Sequence, residues 1–203
     1  MAARESGCLD RVVVSTDDEQ IALISRECDA DVPFIRPPEL AQDNTPGIDP
    51  VIHAIQWLDA HEKYRPEYVL LLQPTSPLRT AEDIAGAVEV ARTTGADTVL
   101  GICAARVHPF STLKCAENGL LTGFLSSDWR ELQRRYPRRQ DLPEAHVENG
   151  ALYLTRRKVI LETRTFYGEE MYGYVMPEER SLDIDTPLDL WTAERLFCSR
   201  GQP

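Results

Sequence analysis

Tyr68-Val69-Leu70-Leu71-Leu72 is an apolar run without polar alternation, bounded by Pro66 on one side and Gln73-Pro74 on the other. A strand that shows one face to water alternates, so a continuous apolar strand must be covered on both faces, as in a sheet layered between helices. The flanking sequence repeats the same punctuation. Val12-Val13-Val14 runs into Ser15-Thr16-Asp17, and Asp17 or Asp18 can cap a helix over 20–28 with Ile21, Ile24 and Cys28 on one face. A short strand over 32–35 stops at Pro37-Pro38, and a polar loop over 41–47 follows. Ile48, Val51, Ile52, Ile55 and Leu58 then recur at helical spacing, closing before Pro66. Thr80 caps a helix carrying Ile84, Ala87, Val88 and Ala91, and 97–103 returns as a strand. This alternation predicts an α/β fold with a mostly parallel, doubly wound sheet, the 68–72 strand near its centre and ligands at the strands' carboxyl ends.

Over 112–124 the pattern changes to short strands around an Asn118-Gly119 turn, a hairpin signal. A basic, irregular stretch over 129–149 follows, so residues 110–149 read as an inserted arm. Strands over 150–155 and 171–176 and a closing helix over 187–197, with Pro187 in its first turn, complete the chain. Its 203 residues fit one domain over 1–203, since single cores stop growing near ~250 residues.

The formal net charge of -11 repels a phosphate backbone and argues against nucleic-acid binding. No stretch approaches the ~18 apolar residues of a membrane span, and the first residues carry no secretory pattern. Cys8, Cys28, Cys103, Cys115 and Cys198 form no CxxC pair. An odd thiol count without a leader predicts a cytoplasmic protein with buried or idle cysteines.

Three groups of residues can carry chemistry. Asp183-Ile184-Asp185 places two carboxylates at i and i+2, which an extended segment turns to one face, as hard oxygen ligands for Mg²⁺ require. The same pair also suits a solvated strand end with Asp185 or Thr186 capping the next helix. Gln73-Pro74-Thr75-Ser76-Pro77-Leu78-Arg79 follows the apolar strand and offers an amide, hydroxyls and a guanidinium to a polar ligand, or simply ends the strand and caps a helix. Arg36 and the cluster Arg134, Arg135, Arg138 and Arg139 can bind carboxylate or phosphate, or pair with the abundant acids. His53, His61, His108 and His146 show no metal spacing, and neither a GxGxxG nor a Walker loop is present.

RVVVSTDDEQIA, IRPPELAQD, LLQPTSPLRT, RRQDLPEAHVENGALYLTR and SLDIDTPLDL, in this order and spacing, resemble the CMP-N-acylneuraminate synthetase (acylneuraminate cytidylyltransferase) family. The resemblance spans about residues 3–197. It implies a Rossmann-like, glycosyltransferase-A-type sheet flanked by helices, with the arm as a dimerisation element. It also implies transfer of CMP from CTP to a nonulosonic acid, sialic acid or a relative, with release of pyrophosphate. In that reading Asp183 and Asp185 are catalytic and hold Mg²⁺, with Asp185 the better candidate to assist deprotonation. Arg36 meets the nucleotide, Gln73, Thr75 and Ser76 line the substrate loop, and Arg139, Gln140 and Asn149 belong to the arm and the wall of the site.

The chain departs from the family at three places. The family opens with a strand and a Gly-rich phosphate loop, and this sequence starts beyond them, so the strands on either side are expected to lack a ladder partner. His146-Val147 replaces an aromatic followed by Arg, and Gly47 replaces a nucleotide-side Ser, whose hydroxyl the backbone N–H would have to replace. Two other readings stay open: a catalytically silent homologue that binds CTP or dimerises, and a cytidylyltransferase for another acidic acceptor.

Overall fold

A computed structural model describes residues 2–125 and 128–200; arm residues 126–127 and both ends of the expected 1–203 domain lie outside the described residues. The elements are α1 (Ala2–Glu5), α2 (Glu19–Glu27), α3 (Ile48–Glu62), β1 (Tyr68–Leu71), α4 (Ala81–Thr94), β2 (Thr98–Ala104), β3 (Leu113–Cys115), β4 (Leu121–Gly123), α5 (Trp129–Arg135), β5 (His146–Arg156), α6 (Arg157–Thr163), β6 (Met171–Val175) and α7 (Pro187–Arg200).

Four strands form the main sheet in the order β1-β5-β2-β6. β5 runs against both neighbours and β2 pairs parallel with β6, so β1, β2 and β6 share one direction. The fold is α/β with a mixed sheet flanked by helices. Because the reversed strand lies between β1 and β2, two of the three ladders are antiparallel.

Alternate residues of β1 serve opposite cores. Tyr68 and Leu70 pack with Ile84, Ala87, Val99, Leu152 and Leu154 beneath α4, while Val69 packs with Ile52, Ile55 and Ile160 of α3 and α6. Both faces of the apolar strand are thus covered, as its composition requires. In the hydrogen-bonding direction it lies at the edge of the described sheet rather than its centre.

Other expectations need correction. Residues 12–15 and 32–35 are extended but form no ladder; Val13 makes a single parallel bridge to Asp31, with Val14 N–H donating to Asp31 O at 2.8 Å. Each segment has only the other as a described partner, too little for a named strand. The α2 face bearing Ile21 and Ile24 is exposed, at 51% and 59%, and Ala22 is the buried contact instead. The 129–149 stretch is irregular only in its middle: α5 opens it, a single 3-10 turn spans Arg139–Asp141, and β5 begins at His146.

The hairpin stands as predicted, with Gly119 at φ +82° and Ala116 N–H donating to Leu120 O at 3.0 Å. None of the described helices is long and apolar enough to cross a membrane. All five cysteines are free, and only Cys103 is buried.

α4 approaches β6 so closely that a Cβ on Gly86 would lie 2.3 Å from the Tyr174 ring. Helix propensity alone would favour alanine there by about 1 kcal/mol, but a rigid ring cannot yield cheaply. Gly86→Ala is expected to lose about 1–2 kcal/mol net, read as a lower urea midpoint at unchanged m-value.

Candidate active site

β1, β2 and β6 deliver the 73–79 loop, the arm and the 176–185 segment to the same end of the sheet, the end at which β5 begins. Ligands of α/β sheets collect there because the connections leave a crevice lined by loops.

A bulge in β5 brings the segments together. Tyr153 faces Leu100 and Glu148 faces Ile102, so residues 149–152 stand opposite the single Gly101. A Cβ on Gly101 would meet Asn149 Oδ1 at 2.7 Å, so the bulge requires glycine across from it. Within the bulge Gly150 takes φ +72°, and a Cβ there would touch Gln73 Oε1 at 3.0 Å, Asp183 Oδ2 at 3.1 Å and Ser76 Oγ at 3.3 Å. Three oxygens from three segments therefore converge over one bare backbone position.

The 73–79 loop holds its shape through Arg79. Its Nη1 donates to the carbonyls of Gln73 (2.7 Å), Ser76 (2.8 Å) and Ala151 (3.1 Å), tying the loop to β5. Burial pushes the Arg79 guanidinium down to about 10, so it remains charged at neutral pH. The sequence offered this guanidinium to a ligand; the structure uses it on carbonyls. Ser76 is fully buried and donates to Asp183 Oδ1 at 3.3 Å, Gln73 is half-buried, and Thr75 is exposed with its carbonyl accepting from Ile184 N–H at 2.9 Å.

That last bond lays 183–185 along the loop. Ile184 lines an apolar groove with Pro77, Leu190 and Trp191, and its neighbour Asp183 accepts from Ser76. Asp185 is exposed. Capping of α7 falls to Thr186 and Asp189: Asp189 Oδ2 accepts from Thr186 N–H (2.8 Å), Thr186 Oγ1 (2.7 Å) and Asp185 N–H (3.3 Å). The Asp185 carboxylate is left without a protein partner among the described residues. Among those residues no cluster of three or more His, Cys, Asp or Glu could enclose a metal. Two carboxylates two residues apart suit an ion such as Mg²⁺, which keeps waters and would take its remaining oxygens from substrate phosphates.

The other candidates are dispersed. Asn149 is buried, with Nδ2 donating to Ser181 Oγ at 2.9 Å and Oδ1 accepting from Ala151 N–H at 3.1 Å, so its amide holds the wall instead of facing a substrate. Arg36 pairs with Asp17 at 3.0 Å on the segment after residues 32–35, and none of the described hydrogen bonds joins it to the Asp183 cluster. Arg139 lies on the arm, its Nη2 donating to Arg106 O at 2.8 Å, and Gln140 beside it is exposed.

A group that sequence reasoning passed over lies nearby. Glu148 Oε2 accepts from Tyr167 Oη at 2.9 Å and Tyr153 Oη at 3.4 Å. Burial, then Glu148, Tyr167 and Asp183, push the Tyr153 phenol up to about 12. The only sequence signal for this group was its proximity to Asn149 in one motif.

A family model described as cytidylyltransferase matches residues 1–200. The CMP-N,N'-diacetyllegionaminic acid synthase of Legionella pneumophila is 32% identical over 199 residues, covering 97% of this chain and 82% of that protein. The N-acylneuraminate cytidylyltransferase of Escherichia coli is 29% identical over 188 residues, and the match spans 93% of this chain but 42% of that protein. A solved CMP:2-keto-3-deoxy-manno-octonic acid synthetase, in complex with CTP, superposes with a TM-score of 0.64 at 15% identity, covering 97% of this chain and 86% of that one, which speaks to fold alone.

Gly150→Ala adds a Cβ at positive φ and crowds Gln73, Asp183 and Ser76, whereas at Gly119, φ +82°, a Cβ meets nothing within 4 Å. Backbone strain, about 1 kcal/mol, is common to both positions, so the crowding at Gly150 is expected to make Gly150→Ala more destabilising than Gly119→Ala by about a further 1–2 kcal/mol in urea denaturation. With a cytidylyltransferase family model matched over nearly its whole length and a loop, a bulge and an aspartate pair converging at the strand ends, the chain belongs to the cytidylyltransferase family.

Proposed function

We propose that the protein transfers CMP from CTP to a nonulosonic acid, sialic or legionaminic acid or a relative, in a Mg²⁺-dependent reaction in the cytoplasm. The observation that carries the reading is the fixed carboxylate of Asp183 against Ser76 and Gly150, with Asp185 free beside it. The similarity to a legionaminic acid synthase and to an N-acylneuraminate cytidylyltransferase supports the acceptor class.

Asp183 and Asp185 would hold the ion. When bound, Mg²⁺ supplies charge neutralisation for the triphosphate oxygens. The acceptor's anomeric hydroxyl oxygen forms a bond to the α-phosphorus of CTP, and the bond from that phosphorus to the bridging oxygen breaks. Pyrophosphate leaves with the electron pair, and the hydroxyl proton passes to Asp185, whose carboxylate has no protein partner to displace. Such phosphoryl transfer depends on alignment and charge stabilisation more than on covalent assistance. Gln73 and Thr75 face the substrates from the loop, Ser76 steadies Asp183, and Arg36 approaches the nucleotide from the neighbouring segment. Glu148, Tyr153 and Tyr167 offer hydrogen bonds to a polyhydroxylated acceptor beside Asp183, where Val147 carries no charge of its own.

Pyrophosphate release with CTP, Mg²⁺ and a panel of nonulosonic and other keto sugar acids tests the proposal. Asp183→Ala is expected to lower turnover at least ~100-fold at near-native stability, since a half-exposed carboxylate carries little packing. Release at the wild-type rate in that variant would overturn the assignment. CTP binding without release from any acceptor would point instead to a silent, CTP-binding homologue.

The arm supports a homodimer. Leu113, Leu120, Leu121, Phe124 and Leu125 are exposed on a hairpin whose two strands pair only with each other, and such a patch calls for a partner. Arg139 and Gln140 belong to the same arm and would reach the site through that pairing. Leu121→Glu with Phe124→Glu is expected to convert a dimer in sedimentation velocity to a monomer, and a wild-type monomer at micromolar concentration would remove this part of the proposal.

A further inference from the structure

Asp83 is fully buried, an unusual place for a carboxylate, and every bond it makes has a place in the site's frame. It is the third residue of α4, and its Oδ2 accepts from Thr80 N–H at 2.9 Å while Thr80 Oγ1 accepts from Asp83 N–H at 3.4 Å, a reciprocal cap. Arg180 then grips both of its oxygens, Nη2 to Oδ1 at 2.8 Å and Nε to Oδ2 at 2.9 Å, from 97 residues away. Burial works to raise the carboxyl, and Arg180 with the Thr80 cap overcomes it, holding Asp83 ionised below the usual carboxylate range.

The pair joins the roots of the two segments whose tips meet at the site. Thr80 directly follows Arg79, the residue that shapes the 73–76 turn. Arg180 directly precedes Ser181, which Asn149 Nδ2 holds at 2.9 Å and which donates to Pro177 O at 2.8 Å. At the tips Ile184 N–H reaches Thr75 O at 2.9 Å and Ser76 Oγ reaches Asp183 at 3.3 Å. A closed circuit results, with Asp183 two residues beyond its last anchored position.

We propose that Arg180 is a positioning residue for the reaction, setting the height of Asp183 over Gly150 and Ser76 through its two-point grip on Asp83. The inference rests on the cytidylyltransferase reading above. With Asp83 fully buried and 26% of the Arg180 side chain exposed, the pair adds little net stability, because desolvating the carboxylate offsets most of the attraction. A planar fork on a carboxylate fixes both distance and angle, which a lysine cannot do. The structure thus places a poor stabiliser but a good aligner where alignment of Asp183 is set.

Steady-state pyrophosphate release, normalised to folded protein, separates alignment from stability. Arg180→Lys keeps the charge and loses the fork, and it is expected to lower kcat about 10- to 100-fold with the KM for CTP within about twofold. Asp83→Leu with Arg180→Met removes both charges together with the Thr80 cap, and is expected to remain folded at a somewhat lower urea midpoint without recovering kcat. Ser76→Ala and Arg180→Lys, acting on the same carboxylate, are expected to combine less than multiplicatively. Wild-type kcat per folded molecule in Arg180→Lys or in the apolar pair would show a structural role and overturn the proposal. Failure of Asp183→Ala to affect release would instead remove the reading beneath it, so the two failures are distinct.

Discussion

The side chain missing at Gly150 is what the site is arranged around. A strand that changes to φ +72° partway along must break its ladder, and β5 does so by setting residues 149–152 against Gly101 alone. The break turns one backbone position toward the loop after β1, and the absence of a Cβ lets three oxygens approach it. Any larger residue would displace Gln73, Ser76 or Asp183, so the constraint is shared by segments far apart in sequence. Gly101 is the second half of the same condition, because Asn149 occupies the space its side chain would take. Two small residues on adjacent strands thus control where an amide, a hydroxyl and a carboxylate meet.

Polar side chains already engaged with the protein carry out the remaining alignment. Arg79 serves three carbonyls, Asn149 joins the bulge to Ser181, and Arg180 serves Asp83. These bonds are directional, whereas the packing of Ile84, Val99 and Leu152 beneath them is not. The apolar layer sets how near the sheet and α4 come, and the polar layer sets the angle at which the loops leave them.

Local pattern made much of this legible and long-range pairing hid the rest. The spacing of Ile52, Ile55 and Leu58 marked α3, Thr80 marked the start of α4, and the proline-bounded 73–79 segment and the Asp183-Asp185 pair were visible as candidate chemistry. Sheet order was not legible, because the apolar run at 68–72 records that both faces are covered but not whether a strand lies on each side. The exposed Ile21 and Ile24 show the same limit: periodicity marks an apolar face without saying what covers it. The internal bonds of Arg79 and Asn149 were not legible, because a motif reports residue type and only coordinates show which polar atoms are already engaged. The partnership of Asp83 with Arg180, across 97 positions, leaves no local trace.

The chain's net charge of -11 opposes the arrival of any triphosphate, and the site adds two more carboxylates to the path. Arg79 bears on this tension differently from a surface cation. Its guanidinium is buried and bonded to carbonyls alone, so no carboxylate among its hydrogen-bond partners neutralises it. A charge in that setting is screened weakly by salt and acts through the loop above it at close range. Arg36 is paired with Asp17 and Arg139 with the Arg106 carbonyl, so both act mainly when a ligand displaces their present partners. The positive pole beneath the 73–79 loop is therefore fixed before substrate arrives, and Asp183 lies against the same loop through Ser76. Fixed charges of both signs, one within the loop and one held against it by Ser76, need no reorganisation as negative charge shifts toward the leaving group, and this pre-set field follows from placing one arginine under three carbonyls.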